Sequence, residues 1–237
     1  MRPSFDTIAV TLLGVVCIAL IGQAWLADHP EHNPWAPLAL GDPPGWATET
    51  KFAKLRDDRA ICDAFLDRSE ISATPLPPTG SGACLRDDRQ VLSSPAQADV
   101  TLAPAGPQAT CAVDAGLAWW LRHGVQPAAQ TILASRVSRI EHFGTASCRR
   151  IGGGERWSEH ATGNALDVSA FVLDDGRRIS VLDDWKGQGD AAAFLRVVRD
   201  AACRSYGTVL SPDYNAAHAD HLHLDQASRA GGWSTCR

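Results

Sequence analysis

The sequence predicts an α+β domain, a small antiparallel sheet packed against helices, carried behind an N-terminal transmembrane helix. Three observations predict it. Apolar residues recur at helical spacing in some stretches of the second half and alternate strictly in others. An uncharged run from Thr7 to Ala27 is long enough to cross a hydrocarbon layer. The order helix, helix, strand, strand, helix, strand, with no internal repeat and no glycine-rich phosphate loop, belongs to the α+β class.

Arg2 ahead of the apolar run places the N-terminus inside and the rest of the chain outside, with Asp6 opposing that signal. The run ends Ala24-Trp25-Leu26-Ala27. Trp25 stands where a signal-peptide cleavage site requires a small residue, so residues 1–27 read as a membrane anchor or uncleaved signal in preference to a cleaved signal peptide. Residues 28–47 contain Pro30, Pro34, Pro37, Pro43 and Pro44 and read as an extended spacer. The folded part begins near Thr48. Phe52, Leu55, Cys62, Phe65 and Leu66 predict one helix over Glu49–Asp67. Ser72–Pro107 is rich in proline, glycine and alanine and reads as loops clipped by disulfides, which completes a region spanning 48–110.

Residues 111–237 carry the clearer patterns. Asp114 is placed to cap a helix over Ala115–His123 that Gly124 stops, and Pro127 to open a second over Ala128–Ile140. Asn164–Val172 alternates as a strand, and Asp174-Asp175-Gly176 turns it into a second strand over Ile179–Leu182. Asp190 caps a helix over Ala191–Cys203 with Phe194, Leu195, Val197, Val198 and Ala202 inward. His221–Asp225 is a last short strand.

Composition bounds the function. A hydrophobic fraction of 45% and a charged fraction of 21% leave room for a core. A net charge of -5 with no basic run disfavours nucleic acid as a partner. Of seven cysteines, Cys17 lies in the apolar run. None of the other six forms a Cys-x-x-Cys pair, which points to disulfides in an oxidising compartment rather than to a thiolate metal site. Cys62 with Cys84 is expected as a local loop, and the other four are left open. Trp119, Trp120, Trp157, Trp185 and Trp233 are assigned to the core ahead of a substrate groove.

The chemistry sits in two segments. In His221-Leu222-His223-Leu224-Asp225, alternation sends both leucines to one face and His221, His223 and Asp225 to the other. In Ser158-Glu159-His160-Ala161-Thr162-Gly163-Asn164-Ala165-Leu166-Asp167, a turn at Gly163-Asn164 leads from a loop bearing His160 into a strand bearing Asp167. There Ala165, Asp167 and Ser169 share a face, leaving room beside the carboxylate. Two histidines and one carboxylate, His160 and Asp167 with one histidine of the His221–His223 pair, would leave a tetrahedral zinc with one position open for water.

The pattern Ser-x-His-x-x-Gly-x-Ala-x-Asp resembles the signature of D-alanyl-D-alanine carboxypeptidases and Hedgehog-like zinc peptidases. Residues from about Cys111 to the end, with Pro212-Asp213-Tyr214-Asn215 and His218 to Asp225, look closer still to the bacterial extensin-like C-terminal domain proteins. The resemblance implies a Hedgehog/DD-peptidase-like fold, His223 as third ligand and Asp220 as general base. His221 stands where those peptidases carry a bulky residue, and related lysostaphin-like enzymes use the first His of a His-x-His in catalysis. Strand alternation favours His221 and family spacing favours Asp220, which is taken as the base. By the same resemblance, Arg149 grips a substrate carboxylate and Ser158 hydrogen-bonds substrate. The expectation is a zinc-dependent amide hydrolase of peptidoglycan stem peptides or cross-links, held by the inner membrane with its domain in the periplasm. The alternatives are a zinc-containing cell-wall binding module without turnover, and a structural wall protein that binds no metal. The sequence leaves the oligomeric state open.

Overall fold

A computed structural model describes residues 4–93, 99–228 and 234–237. Helix α1 (Phe5–Asp28) opens on Ser4, whose hydroxyl accepts from the Thr7 amide, and it is long and apolar enough to cross a membrane. Residues 28–47, expected as an extended spacer, instead fold onto the domain. Leu38 and Leu40 are buried, and Lys51 donates to the Pro30 carbonyl.

The helix expected over Glu49–Asp67 is two, α2 (Thr48–Asp57) and α3 (Arg59–Arg68). Asp58 breaks it, because its carboxylate accepts from the amides of Ala60 and Ile61 and so starts a new helix. The stretch expected as loops contains strands β1 (Ala73–Pro75), β2 (Gln90–Leu92) and β3 (Thr101–Ala103).

Helix α4 (Cys111–Trp120) starts three residues ahead of the expected cap. Thr110 is the N-cap, its hydroxyl accepting from the Val113 amide. Asp114 lies buried inside the helix beside Gln90, and burial pushes its carboxyl up to about 8. Gly124 does not stop the chain, which continues through a π-helical turn (Leu121–Val125) into α5 (Gln126–Leu133). The helix expected to reach Ile140 ends at Ala134, which adopts φ 53° in the left-handed region. Val137 and Ile140 then fall in strand β4 (Val137–Gly144), since isolated apolar residues three apart fit a bulged strand as well as a helix.

Next come β5 (Ala165–Leu173), β6 (Arg178–Ser180), a short α6 (Val181–Asp184), α7 (Asp190–Ala202), β7 (Thr208–Leu210), β8 (Leu222–Asp225) and β9 (Thr235–Cys236). In α7, Gly189 rather than Asp190 is the N-cap, and Val197 is exposed.

The sheet is larger and less uniform than expected. Its order is β3-β4-β5-β8-β7-β9, with β6 also on β5, giving seven strands. β3 pairs with β4 and β7 with β9 in parallel, and the rest are antiparallel. Helices α4, α5 and α7 cover one face, burying Leu117, Trp120, Phe171, Phe194, Leu222 and Leu224. A second apolar cluster, with Leu40, Phe52, Phe65 and Trp119, fills the space between α4 and the α2–α3 pair.

The disulfides are Cys62–Cys111, Cys84–Cys148 and Cys203–Cys236. The expected Cys62–Cys84 pair does not form. Cys62 lies in α3, which packs on α4, while Cys84 lies in a turn beside the loop that follows β4.

Candidate metal centre

The sheet face opposite the helices carries the polar side chains of β5 and β8. In their antiparallel register Asp167 stands directly across from His223, and Ala165 across from Asp225. Alternation sends Leu222 and Leu224 into the core, so His223 and Asp225 are turned outward together. His160 arrives from a 3-10 turn (Glu159–Ala161), opened by Ser158, whose hydroxyl accepts from the His160 amide. Gly163, at φ 77°, then lets the chain turn into β5.

The three side chains converge. The Nε2 of His160 lies 3.2 Å from the Nδ1 of His223 and 3.1 Å from Oδ1 of Asp167, and His223 Nδ1 lies 2.9 Å from the same oxygen. All three residues are buried. Ligand atoms around a tetrahedral zinc are about 3.3 Å apart at bond lengths of about 2.0–2.1 Å. The observed edges are within a few tenths of an ångström of that.

The outward nitrogens of both imidazoles have partners of their own. His160 Nδ1 is 3.2 Å from the Thr145 carbonyl, and His223 Nε2 is 2.9 Å from Oδ2 of Asp225. A ring N–H donating to each of these acceptors leaves His160 Nε2 and His223 Nδ1 as lone pairs aimed at each other and at a carboxylate. Three converging acceptors can share a cation, or a proton in its place. The donor set of two imidazoles and one carboxylate fits zinc.

The titration behaviour has the same origin. Burial alone would lower the His223 imidazole, but hydrogen bonds with Asp167 and Asp225 outweigh it and push it up to about 9. Burial would raise Asp167, but His160 and His223 hold it well below the usual carboxylate range.

His221 Nε2 is 3.6 Å from Asp167 Oδ1, while its Nδ1 is 2.8 Å from Asp220 Oδ1. The imidazole therefore faces the cluster and Asp220 stands behind it. Of the two candidate bases, the geometry brings His221 to the site and makes Asp220 its orienter. The cluster opens on a cleft of about 650 Å³ whose lining includes Arg149, Ser158, Tyr214, His218 and His221. Arg149 and Ser158 thus line the cleft beside the cluster, and the Ser158 hydroxyl also caps its own turn.

Three contributors were not assigned roles from the sequence. Asp225 was placed on the ligand face by alternation, which is the signal that could have identified it. Thr145 acts through its carbonyl, which sequence does not show. His218 lies with its ring 5.2 Å from that of His221, and its Nδ1 is 2.8 Å from Asn215 Oδ1. Burial first, then the neighbouring His221 and His223, lowers His218 to about 4, so it is a neutral imidazole in the cleft.

Fold and site together define a class, mixed α+β domains with a buried His–Asp–His cluster at the mouth of a cleft. The chain belongs to the Extensin-like protein C-terminus family, which it matches over residues 60–237. No curated protein and no solved structure matches the chain. The expected Hedgehog/DD-peptidase-like fold therefore finds no match among solved structures, and what is shown is a mixed α+β domain of the extensin-like family.

Proposed function

We propose that this protein is a zinc-dependent amide hydrolase of peptidoglycan stem peptides or their cross-links, tethered to the inner membrane by α1 with its domain in the periplasm. One observation carries the reading. His160, Asp167 and His223 aim three electron pairs at one point while their outer nitrogens are committed to Thr145 and Asp225. Three disulfides and a long apolar N-terminal helix support a membrane-attached domain in an oxidising compartment.

The chemistry zinc supplies at such a site is activation of water at neutral pH and polarisation of the scissile carbonyl. The protein's own groups do the rest. His221 accepts a proton in the cleft and returns it to the leaving amine, with Asp220 holding its Nδ1–H and so fixing the tautomer. Arg149 offers a fixed positive charge to a substrate carboxylate or to the developing oxyanion. His218 presents a neutral nitrogen to the bound peptide.

The test begins with metal analysis of the purified protein, where about one zinc per chain is expected. Digestion of purified muropeptides should then release a D-amino acid or split a dimer. His160→Ala should lose both metal and turnover. His221→Ala should keep the metal and lose turnover about 10²–10⁴-fold, the usual worth of a general acid–base group. Asp220→Asn should lose less. Zinc bound with no release by the wild type would leave a binding module in place of an enzyme, and zinc far below one per chain would remove the metal reading.

A further inference from the structure

Of the tryptophans expected in the core, Trp119, Trp120 and Trp185 are buried, Trp157 is 40 % exposed, and Trp233 lies outside the described residues. A singly exposed apolar side chain is ordinary. Trp157, however, is held. The Arg150 guanidinium lies 4.8 Å from its ring centroid, and Arg150 itself donates to the Glu155 carbonyl. Arg150 and Trp157 are also antiparallel bridge partners, and the neighbouring Cys148 is tied to Cys84. The indole is thus fixed in orientation before any ligand arrives.

It borders a groove of about 580 Å³, within the roughly 300–1,000 Å³ of ordinary ligand sites. Thr79, Ser81, Ser147 and Arg86 contribute to the lining, and Arg150 takes no part in it. The loop from Cys148 to Ser158 is the wall between this groove and the metal cleft. Cys148 and Trp157 serve the groove side, and Arg149 and Ser158 the cleft side. Ala161, next to the ligand His160, also lines the groove.

An aromatic platform bordered by hydroxyls and a guanidinium matches a pyranose ring, which has one flat C–H face and a rim of hydroxyl and acetamide groups. A nucleobase would stack equally well, but a chain of net charge -5 lacks the basic track its phosphates need. The geometry points to a carbohydrate subsite at Trp157 that binds the N-acetylated glycan chain bearing the peptide whose amide enters the cleft. This rests on the reading of the cleft as a stem-peptide site. It adds that the substrate is recognised as polymer, with sugar on one side of the loop and peptide on the other.

The experiment measures binding, so that it stands apart from hydrolysis. The full-length protein in detergent is titrated with a peptide-free N-acetylglucosamine tetramer, read by tryptophan fluorescence and by saturation transfer to the sugar protons. The wild type should bind. Trp157→Ala should bind at least tenfold more weakly, and Trp157→Phe should fall between them. Ser81→Tyr, which puts a bulky ring into the groove from a lining position outside the Cys148–Ser158 loop, should also abolish binding and covers the case in which Trp157→Ala fails to fold. Failure of the wild type to bind the tetramer, or equal affinity in a folded Trp157→Ala or Ser81→Tyr, overturns the proposal. A protein that binds tetramer but releases nothing from muropeptides keeps the subsite and loses the hydrolase.

Discussion

At the scale of single residues, the His–Asp–His cluster depends on groups that stand behind its three converging atoms. Asp225 holds the Nε2 side of His223, which fixes the tautomer and makes the ligand nitrogen more basic. Asp225→Asn keeps the size and an acceptor oxygen but removes the charge. Zinc affinity should fall about 10–100-fold, the usual cost of losing such a partner. Competition with a chelating dye would measure it, and an unchanged affinity would show that Asp225 plays no part in metal binding. The residues that converge were legible because two short-range rules apply to them. Strand alternation groups His221, His223 and Asp225, and the motif spacing sets His160 before a turn and Asp167 after it. What was not legible was the direction of the Asp220–His221 pair. Both precede β8, and their order of approach to Asp167 depends on how the loop enters the strand.

At the scale of elements, the strands of the site and α7 are legible in the sequence while the bounds of α4 and α5 are not, and the reason is physical. Strands β5 and β8 alternate because one of their faces is buried and the other polar. Helix α4 is buried on every side, between the sheet and the α2–α3 pair, so it carries no amphipathic signal and its bounds were misplaced. Gly124 was misread for the same reason. It is a contact point and not a terminator. A Cβ there would lie 2.7 Å from that of Ala201 in α7 and 3.0 Å from the Trp120 ring. Trp120 is itself pinned, donating to the Val198 carbonyl at 2.7 Å. Gly124→Ala should therefore force the long helix and α7 apart and destabilise the protein, despite alanine's higher helix propensity. Overpacking of this kind costs about 1–3 kcal/mol, roughly 2–12 °C in Tm for a domain of this size. A thermal melt that rises instead would mean that the two helices separate freely.

At the scale of the whole molecule, the proposed metal centre joins a loop, β5 and β8, so binding of a metal there would be linked to folding. The sign of its pH dependence follows from His223. Its folded value of about 9 lies above the 6.5 of an unfolded histidine, so in metal-free protein its contribution to stability is complete below about 6.5 and is lost as pH rises through 9. The cause is the pair of carboxylates around it, for which a proton serves as the cation. Zinc competes with that proton. Its affinity should therefore increase with pH until about 9, with release of close to one proton per zinc below that point. In melting experiments, the metal-free protein should lose Tm between pH 6.5 and 9 while the zinc-loaded protein does not, so the gap between them widens. At a free zinc concentration a hundredfold above Kd, the gain is about 2.7 kcal/mol. Proton release measured by titrating zinc into weakly buffered protein at pH 7.5 checks the same linkage directly. Release of none, together with a Tm gap that is flat with pH, would mean that zinc does not displace the His223 proton and binds elsewhere.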